Sequence, residues 1–312
     1  MPDIVVAALY KFCALDNYAQ VRDQFEDLCL AKDIKGTLIF SDEGVNGTVA
    51  GSRNAINELR SALAKESRFD GMEYKESYCE EQPFLRLKVK TKNEIVTMGV
   101  LGAKPAEQTG QHVAAKDWNA LLKRKDLLLL DTRNTYETRI GVFEGAVDPG
   151  LSDFREFPQY VDENLDPEKT PAVAMYCTGG IRCEKASAYM LAKGFKEVFQ
   201  LNGGILRYLE EVDAEESTWQ GDCFVFDNRV SVDQDLRQGD YSVCYSCREP
   251  LREEDKLSEH YELGVSCHYC YESHSEERKA RLRERQKQVE LAKSRKETHI
   301  GADMTELRRK NR

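Results

Sequence analysis

No stretch of this 312-residue sequence approaches a membrane-spanning helix, which needs about 20 consecutive apolar residues. The start, Met1-Pro-Asp-Ile-Val-Val-Ala-Ala-Leu-Tyr10, lacks the basic opening of a secretory signal and reads as a strand. Gly-x-Gly-x-x-Gly does not occur, so there is no nicotinamide or flavin dinucleotide signature. The five histidines are too scattered to suggest a two-histidine, one-carboxylate iron centre. There is no internal repeat, and no low-complexity tract beyond a charged C-terminal tail. These absences set aside a membrane partner and the dinucleotide cofactors.

A chain of this length with 41% hydrophobic residues predicts two or three domains with real cores. Ten cysteines without a secretory start predict free thiols, metal ligands or catalysis in a reducing, cytoplasmic setting. The formal charge is −10, unevenly spread. Ser275 to Arg312 holds thirteen Lys/Arg against seven Asp/Glu, a local +6, so the preceding 274 residues sit near −16.

Residues 4–12 alternate as a strand, and Tyr18 to Ala31 places Val21, Phe25, Leu28 and Leu30 on a helical face. Lys35–Phe40 and Gly47–Gly51 read as strands, with Asn46-Gly47 suited to a hairpin turn. Glu43 and Thr48 flank that turn and are candidates to face a substrate. Ile56, Leu59 and Leu63 mark a second helix, and Phe84–Lys90 alternates strictly and closes the set. The order β-α-β-β-α-β predicts a ferredoxin-like α+β sandwich over 1–96. A connector follows at 97–114. Strands then alternate with helices over 115–218, a parallel α/β pattern.

Cys177-Thr-Gly-Gly-Ile-Arg182 is the most informative segment. It follows the apolar run Pro171–Tyr176 and precedes a helical stretch beginning at Cys183. A cysteine between a strand end and a helix N-terminus meets free amides and partial positive charge, which lower a thiol's pKa. Arg182 adds a cation, and Gly179 and Gly180 let the backbone turn its amides inward. Cys177 and Arg182 are therefore the candidate catalytic pair, with the amides of Thr178, Gly179, Gly180 and Ile181 as the anion cradle. The Cys-x4-Arg spacing is one residue shorter than the Cys-x5-Arg loop of cysteine phosphatases, which favours a terminal sulfur over a phosphate. Asp131 and Arg133 read as an ion pair fixing a strand end.

Cys244-x2-Cys247 and Cys267-x2-Cys270 form the second constellation. Two such knuckles nineteen residues apart can give four thiolates to a tetrahedral zinc. Four thiolates close the coordination sphere, so the zinc would be structural, and His260, His268 and His274 are not needed. This segment spans 219–274. Cys13, Cys29, Cys79 and Cys223 read as core residues. Cys183 either packs or resolves an oxidised Cys177. The tail, 275–312, carries Arg278, Lys279, Arg281, Arg283, Arg285, Lys287, Lys293, Arg295 and Lys296 with little apolar face. It reads as a solvated basic helix or as a phosphate-contacting arm.

The Cys177 loop, Leu127–Arg133, Phe143-Glu-Gly-Ala146 and Asn202-Gly-Gly-Ile205 together resemble the rhodanese family over roughly 115–218. With Asp42-Glu-Gly-Val-Asn-Gly-Thr48, Arg86–Lys90, Glu94-Ile-Val96 and Trp118-Asn119, the chain resembles the bacterial rhodanese-domain tRNA uridine hydroxylases more specifically. The resemblance implies a rhodanese-like central domain and Cys177 as the active cysteine, carrying a persulfide. It also implies tRNA as partner, molecular oxygen as co-substrate, and 5-hydroxyuridine at the wobble position as product. The residues themselves show a nucleophilic thiolate and no oxygen chemistry. A rhodanese-type sulfurtransferase, moving sulfur from thiosulfate or a persulfide to a thiol, is the alternative, and a non-catalytic adaptor a third reading. The fold class expected is thus a multidomain α/β chain: a ferredoxin-like sandwich, a rhodanese-like parallel domain, and a zinc-knuckle-like segment with a basic helix.

Overall fold

The computed structural model describes residues 4–100 and 102–295. Its first unit is β1 (Ile4–Phe12), α1 (Tyr18–Ala31), β2 (Lys35–Ser41), β3 (Gly44–Ser52), α2 (Arg53–Leu63), β4 (Glu73–Cys79) and β5 (Leu87–Thr91). The sheet order is β4-β1-β3-β2-β5. Its first four strands are mutually antiparallel neighbours in the 4-1-3-2 order of a ferredoxin-like sheet. One correction concerns its last strand. The closing strand is β4, whereas the strictly alternating run at 84–90 supplies β5, added parallel to β2 at the opposite edge. A second correction concerns the turn. Asp42 and Glu43 make it, followed by Gly44 at φ 132°, and Asn46-Gly47 lies inside β3.

Val5, Ala7 and Leu9 of β1 pack against Val21, Phe25 and Cys29 of α1 and Ile56, Leu59 and Leu63 of α2. Leu30 points outward at 64% exposure, because Cys29 occupies the 3.6-residue position facing the sheet. Ser52 caps α2, its Oγ accepting the Ala55 N–H at 3.3 Å. An antiparallel sheet with helices on one face ordinarily leaves its other face wet and polar. In β1, however, Val6 and Tyr10 on the second face are also buried. The central unit covers Tyr10, whose hydroxyl donates to Glu184.

That unit comprises β6 (Gln111–Val113), α3 (Ala115–Leu121), β7 (Leu127–Asp131), α4 (Thr135–Thr138), β8 (Gly141–Phe143), α5 (Phe157–Asn164), β9 (Ala172–Tyr176), α6 (Ile181–Ala192), β10 (Glu197–Leu201) and α7 (Gly204–Glu211). The parallel sheet runs β6-β10-β9-β7. β6 lies in the stretch read as connector, too short to show an alternation of its own. All five residues of β9 are buried, as a central parallel strand requires. β11 (Trp219–Gly221) returns to pair antiparallel with β8.

Beyond it come two short hairpins, β12 (Cys223–Phe224) with β13 (Ser231–Val232) and β14 (Ser242–Val243) with β15 (Pro250–Leu251). The described chain ends in α8 (Glu276–Ser294), capped by Ser275. Its basic side chains are partly engaged. Lys279 is buried with its Nζ 3.6 Å from the Tyr271 ring centre, Arg283 pairs with Glu262, and Arg285 donates to the Tyr245 carbonyl. The helix thus braces the cysteine-rich segment. Lys296 and the remaining tail cations lie outside the described residues. Among the described residues no helix is long and apolar enough to cross a membrane.

Candidate active site

Cys177 stands at the carboxyl end of β9, where ligands collect in open parallel sheets. Gly180 takes φ 99° and turns its N–H onto the Cys177 sulfur at 3.1 Å. Burial pushes the thiol up. The Cys183 thiol donating to it, the Arg182 charge, and the amides of Cys183 and Arg182 outweigh that and bring it down to about 6. Cys29 and Cys223, buried without such donors, are pushed up to about 12. The amides aimed at the sulfur therefore come from Gly180 and the first turn of α6, not evenly from Thr178 to Ile181.

Arg182 is not a free cation. Its guanidinium grips Glu137 bidentately at 2.6 and 2.7 Å, and Thr178 Oγ1 donates to the same carboxylate at 3.2 Å. Glu137 is fully buried, and it also accepts the Asn134 N–H in the capping box of α4. The pair locks loop to helix. Asp131 and Arg133 form a second buried bidentate pair, with Arg133 Nη2 also on the Gly141 carbonyl at 2.7 Å. This is the strand-end fixture read from the sequence, and it does not touch the sulfur.

The Asn202-Gly-Gly-Ile205 turn holds the loop from behind. Ile205 and Leu206 donate to the Cys177 and Thr178 carbonyls at 3.0 and 3.1 Å. Gly204, at φ 64°, passes so close that a Cβ would lie 2.5 Å from the Cys177 carbonyl oxygen. Cys183 is buried in the core with Thr132 Oγ1 3.6 Å from its sulfur, and all ten cysteines are free. Cys13 is half-buried but packs against the N-terminal core, as expected, whereas Cys79, also half-buried, lies outside it and donates to the Glu81 carbonyl. Cys79 ends the edge strand β4, where apolar neighbours in sequence do not guarantee burial.

The surroundings of Cys177 were not legible in the sequence. A cavity of about 750 Å³ opens in front of it, walled by three parts of the chain. The second face of the N-terminal sheet forms the roof, through Tyr10, Thr37, Ile39 and Thr48. Tyr10 lies over the loop: a Cβ at Gly180 would meet its hydroxyl at 2.8 Å. That hydroxyl donates to Glu184 at 3.3 Å, and Glu184 also holds His112 at 2.9 Å. The third wall is the hairpin around Phe226, which is 58% exposed, with the Arg182 guanidinium 5.7 Å from its ring centre. Glu43 is turned away from the cavity, pairing with Lys185 at 2.9 Å and accepting the Ile95 N–H, whereas Thr48 does line it.

The four knuckle cysteines converge separately. Their sulfurs all lie within 4.8 Å of one another, with Cys247–Cys267 and Cys267–Cys270 at 3.7 and 3.9 Å. Zinc–thiolate bonds of about 2.3 Å in a tetrahedron set sulfurs about 3.8 Å apart, so the donor set fits that ion. A disulfide would need about 2.05 Å. The three nearby histidines are not in the cluster.

Residues 4–95 match the sequence model described as the UPF0176 acylphosphatase like domain, and residues 114–211 match that of the rhodanese-like domain. The two in this order are the architecture of the UPF0176 family. Among solved structures, the chain is similar to the rhodanese-like domain of an Anabaena protein, at 19% identity over 36% of this chain and 80% of that one, TM-score 0.30. It is also similar to a Rhodopseudomonas palustris protein of unknown function, described as a possible tyrosine phosphatase, at 19% identity over 38% and 93%, TM-score 0.30. A rhodanese-related protein of Thermoplasma volcanium matches at 21% identity over 32% and 92%, TM-score 0.25.

Proposed function

We propose that this rhodanese-domain protein is an enzyme that hydroxylates the wobble uridine of tRNA at C5, with Cys177 as nucleophile. The observation that carries the reading is the cavity. Thiosulfate or a terminal sulfur fills little of 750 Å³. A nucleoside needs such a space, and the exposed Phe226 ring on its wall suits stacking on a planar base. The domain pair points the same way, since a plain sulfurtransferase has no use for the roof that the N-terminal sheet supplies.

The loop's part in the chemistry is nucleophilic. At pH 7 the sulfur is largely thiolate, and bond formation to C6 of the uracil ring moves the C5–C6 electron pair toward C5 and O4. One atom of O2 enters at C5 and the other leaves as water, while two external thiols supply two electrons and two protons and become a disulfide. Loss of the C5 proton and cleavage of the C6–sulfur bond return the thiolate. Arg182 serves this by keeping the loop closed on Glu137, and the amides of Gly180, Arg182 and Cys183 hold the sulfur's charge. In the C-terminal segment, Cys244, Cys247, Cys267 and Cys270 would hold one structural zinc, detected as about one ion per chain by native mass spectrometry.

A single observation favours the sulfurtransferase alternative: the tight ring around Cys177 suits a persulfide. Nucleoside mass spectrometry of tRNA separates the two. Cells in which Cys177→Ser replaces the wild type are expected to lose 5-hydroxyuridine and its derivatives. Retention of 5-hydroxyuridine with loss of a thiolated nucleoside, together with thiosulfate–cyanide activity of the purified protein, would establish the transferase.

A further inference from the structure

The cavity's cations are nearly all neutralised. Lys75 pairs with Glu210, Arg155 with Asp153, Arg182 with Glu137, Arg207 with Glu73, and Arg229 with Asp227. Among the described residues, Lys92 at the rim is the lining cation with no acidic partner. It is the last of a series.

β5 alternates. Leu87 and Val89 pack toward the helices, so Lys88 and Lys90 stand on the other face, beside Thr37 and Ile39 of the cavity roof. The pairing with β2 runs past both ends of the strand, through the Arg86 carbonyl on the Gly36 N–H and the Lys92 N–H on the Phe40 carbonyl. Lys88 and Lys90 therefore stand about 6.7 Å apart, two strand rises, on the cavity side of β5, with Arg86 just before the strand and Lys92 just after it, all four exposed. None of them has an acidic partner among the described residues, in a protein of net charge −10. Burial of the stem and the charges of Arg86, Lys90 and Arg248 together hold the Lys88 ammonium below the ordinary lysine range.

Concentrating unpaired like charge costs free energy unless a polyanion neutralises it. Lysines on an edge strand can serve simply to prevent edge-to-edge pairing. That role needs neither a single face nor continuity with a cavity. One repeat per two residues, on the scale of one nucleotide, fits an extended strand whose base turns into the cavity.

We propose that Arg86, Lys88, Lys90 and Lys92 form the track for the phosphate backbone of the RNA whose uridine enters the Cys177 cavity. This rests on the tRNA reading above and assigns its docking surface to the β5 edge. The basic tail is then not the main arm.

The test is fluorescence anisotropy of a short RNA stem–loop with uridine in its loop, across a KCl series. Wild type is compared with the Arg86→Gln/Lys88→Gln/Lys90→Gln variant. Each lost phosphate contact removes about 0.7 from the slope of log K against log salt, so a fall of about 2 is expected, whatever the loop sequence. If the triple variant does not fold, Lys90→Gln alone is expected to lower the slope by about 0.7. Lys88→Arg/Lys90→Arg is expected to keep it. Wild-type binding with an unchanged slope in the variant overturns the track, and greater aggregation with that unchanged slope assigns the row to edge protection. If wild type binds no RNA, the tRNA reading fails, and the track with it. If 5-hydroxyuridine still depends on Cys177 while the slope is unchanged, the track alone falls.

Discussion

The Cys177 loop and the four-cysteine knuckle both gather sulfur at tight turns, and they ready it for opposite purposes. At Cys177 one sulfur takes amide, thiol and cationic support while facing a cavity. In the knuckle four sulfurs face one another and leave no outward position. Cys223 makes a third case: a buried sulfur with no donors, whose thiol stays protonated. Burial alone thus decides nothing about a cysteine's chemistry. The donors within reach of the sulfur, and what lies beyond it, decide.

The largest expected effect lies on the knuckle side. Structural zinc sites hold their ion with about 10–16 kcal/mol in isolated peptides, most of it folding free energy. Stripping the metal with a strong chelator, or replacing Cys267 by Ser, is expected to make residues 242–275 sensitive to protease. The central domain should remain resistant in limited proteolysis. Equal loss of both would show that the two sulfur sites form one cooperative unit.

Next in size is Glu137→Gln. It leaves the Arg182 charge buried without its bidentate partner, and breaking such a pair costs about 3–5 kcal/mol. Urea unfolding should show that loss in the central domain while native mass spectrometry still finds the zinc. A change under about 1 kcal/mol would mean the pair does not hold the loop.

The smaller effect is on acidity. Cys183→Ala removes the thiol that donates to Cys177, so the Cys177 pKa rises from about 6 toward the free-thiol value of ~8.5. The pH profile of its alkylation should move up by about 1 unit. At pH 7 less thiolate is then present, and the reaction slows. No shift would assign the lowered pKa to the Arg182 charge and the amides.

Much of this was legible in the chain because it is local. The strand–Gly-Gly–helix pattern around Cys177, the two Cys-x2-Cys knuckles and the first helices each rest on short-range periodicity or turn chemistry. The swap of β4 and β5 was not, because Glu73–Cys79 is a sheet edge of intermediate burial whose sequence lacks apolar alternation. The Arg182–Glu137 pair joins residues 45 apart, and the Tyr10–Glu184 bond residues 174 apart. Such contacts follow from packing that no local spacing encodes. One trace was present, against the alternation expected of residues 4–12: both faces of β1 are apolar, Val5, Ala7 and Leu9 on one and Val6, Ala8 and Tyr10 on the other. That marks a strand covered twice, and so a roof.

The most direct measurement is a map of iodoacetamide labelling for all ten cysteines across pH, by peptide mass spectrometry of the native, zinc-loaded protein. Cys177 should label first, with a rate that rises through an apparent pKa of about 6, while Cys223 and the four knuckle cysteines stay protected. Labelling of a knuckle cysteine before Cys177, or a Cys177 profile centred near the free-thiol value of ~8.5, would contradict the account.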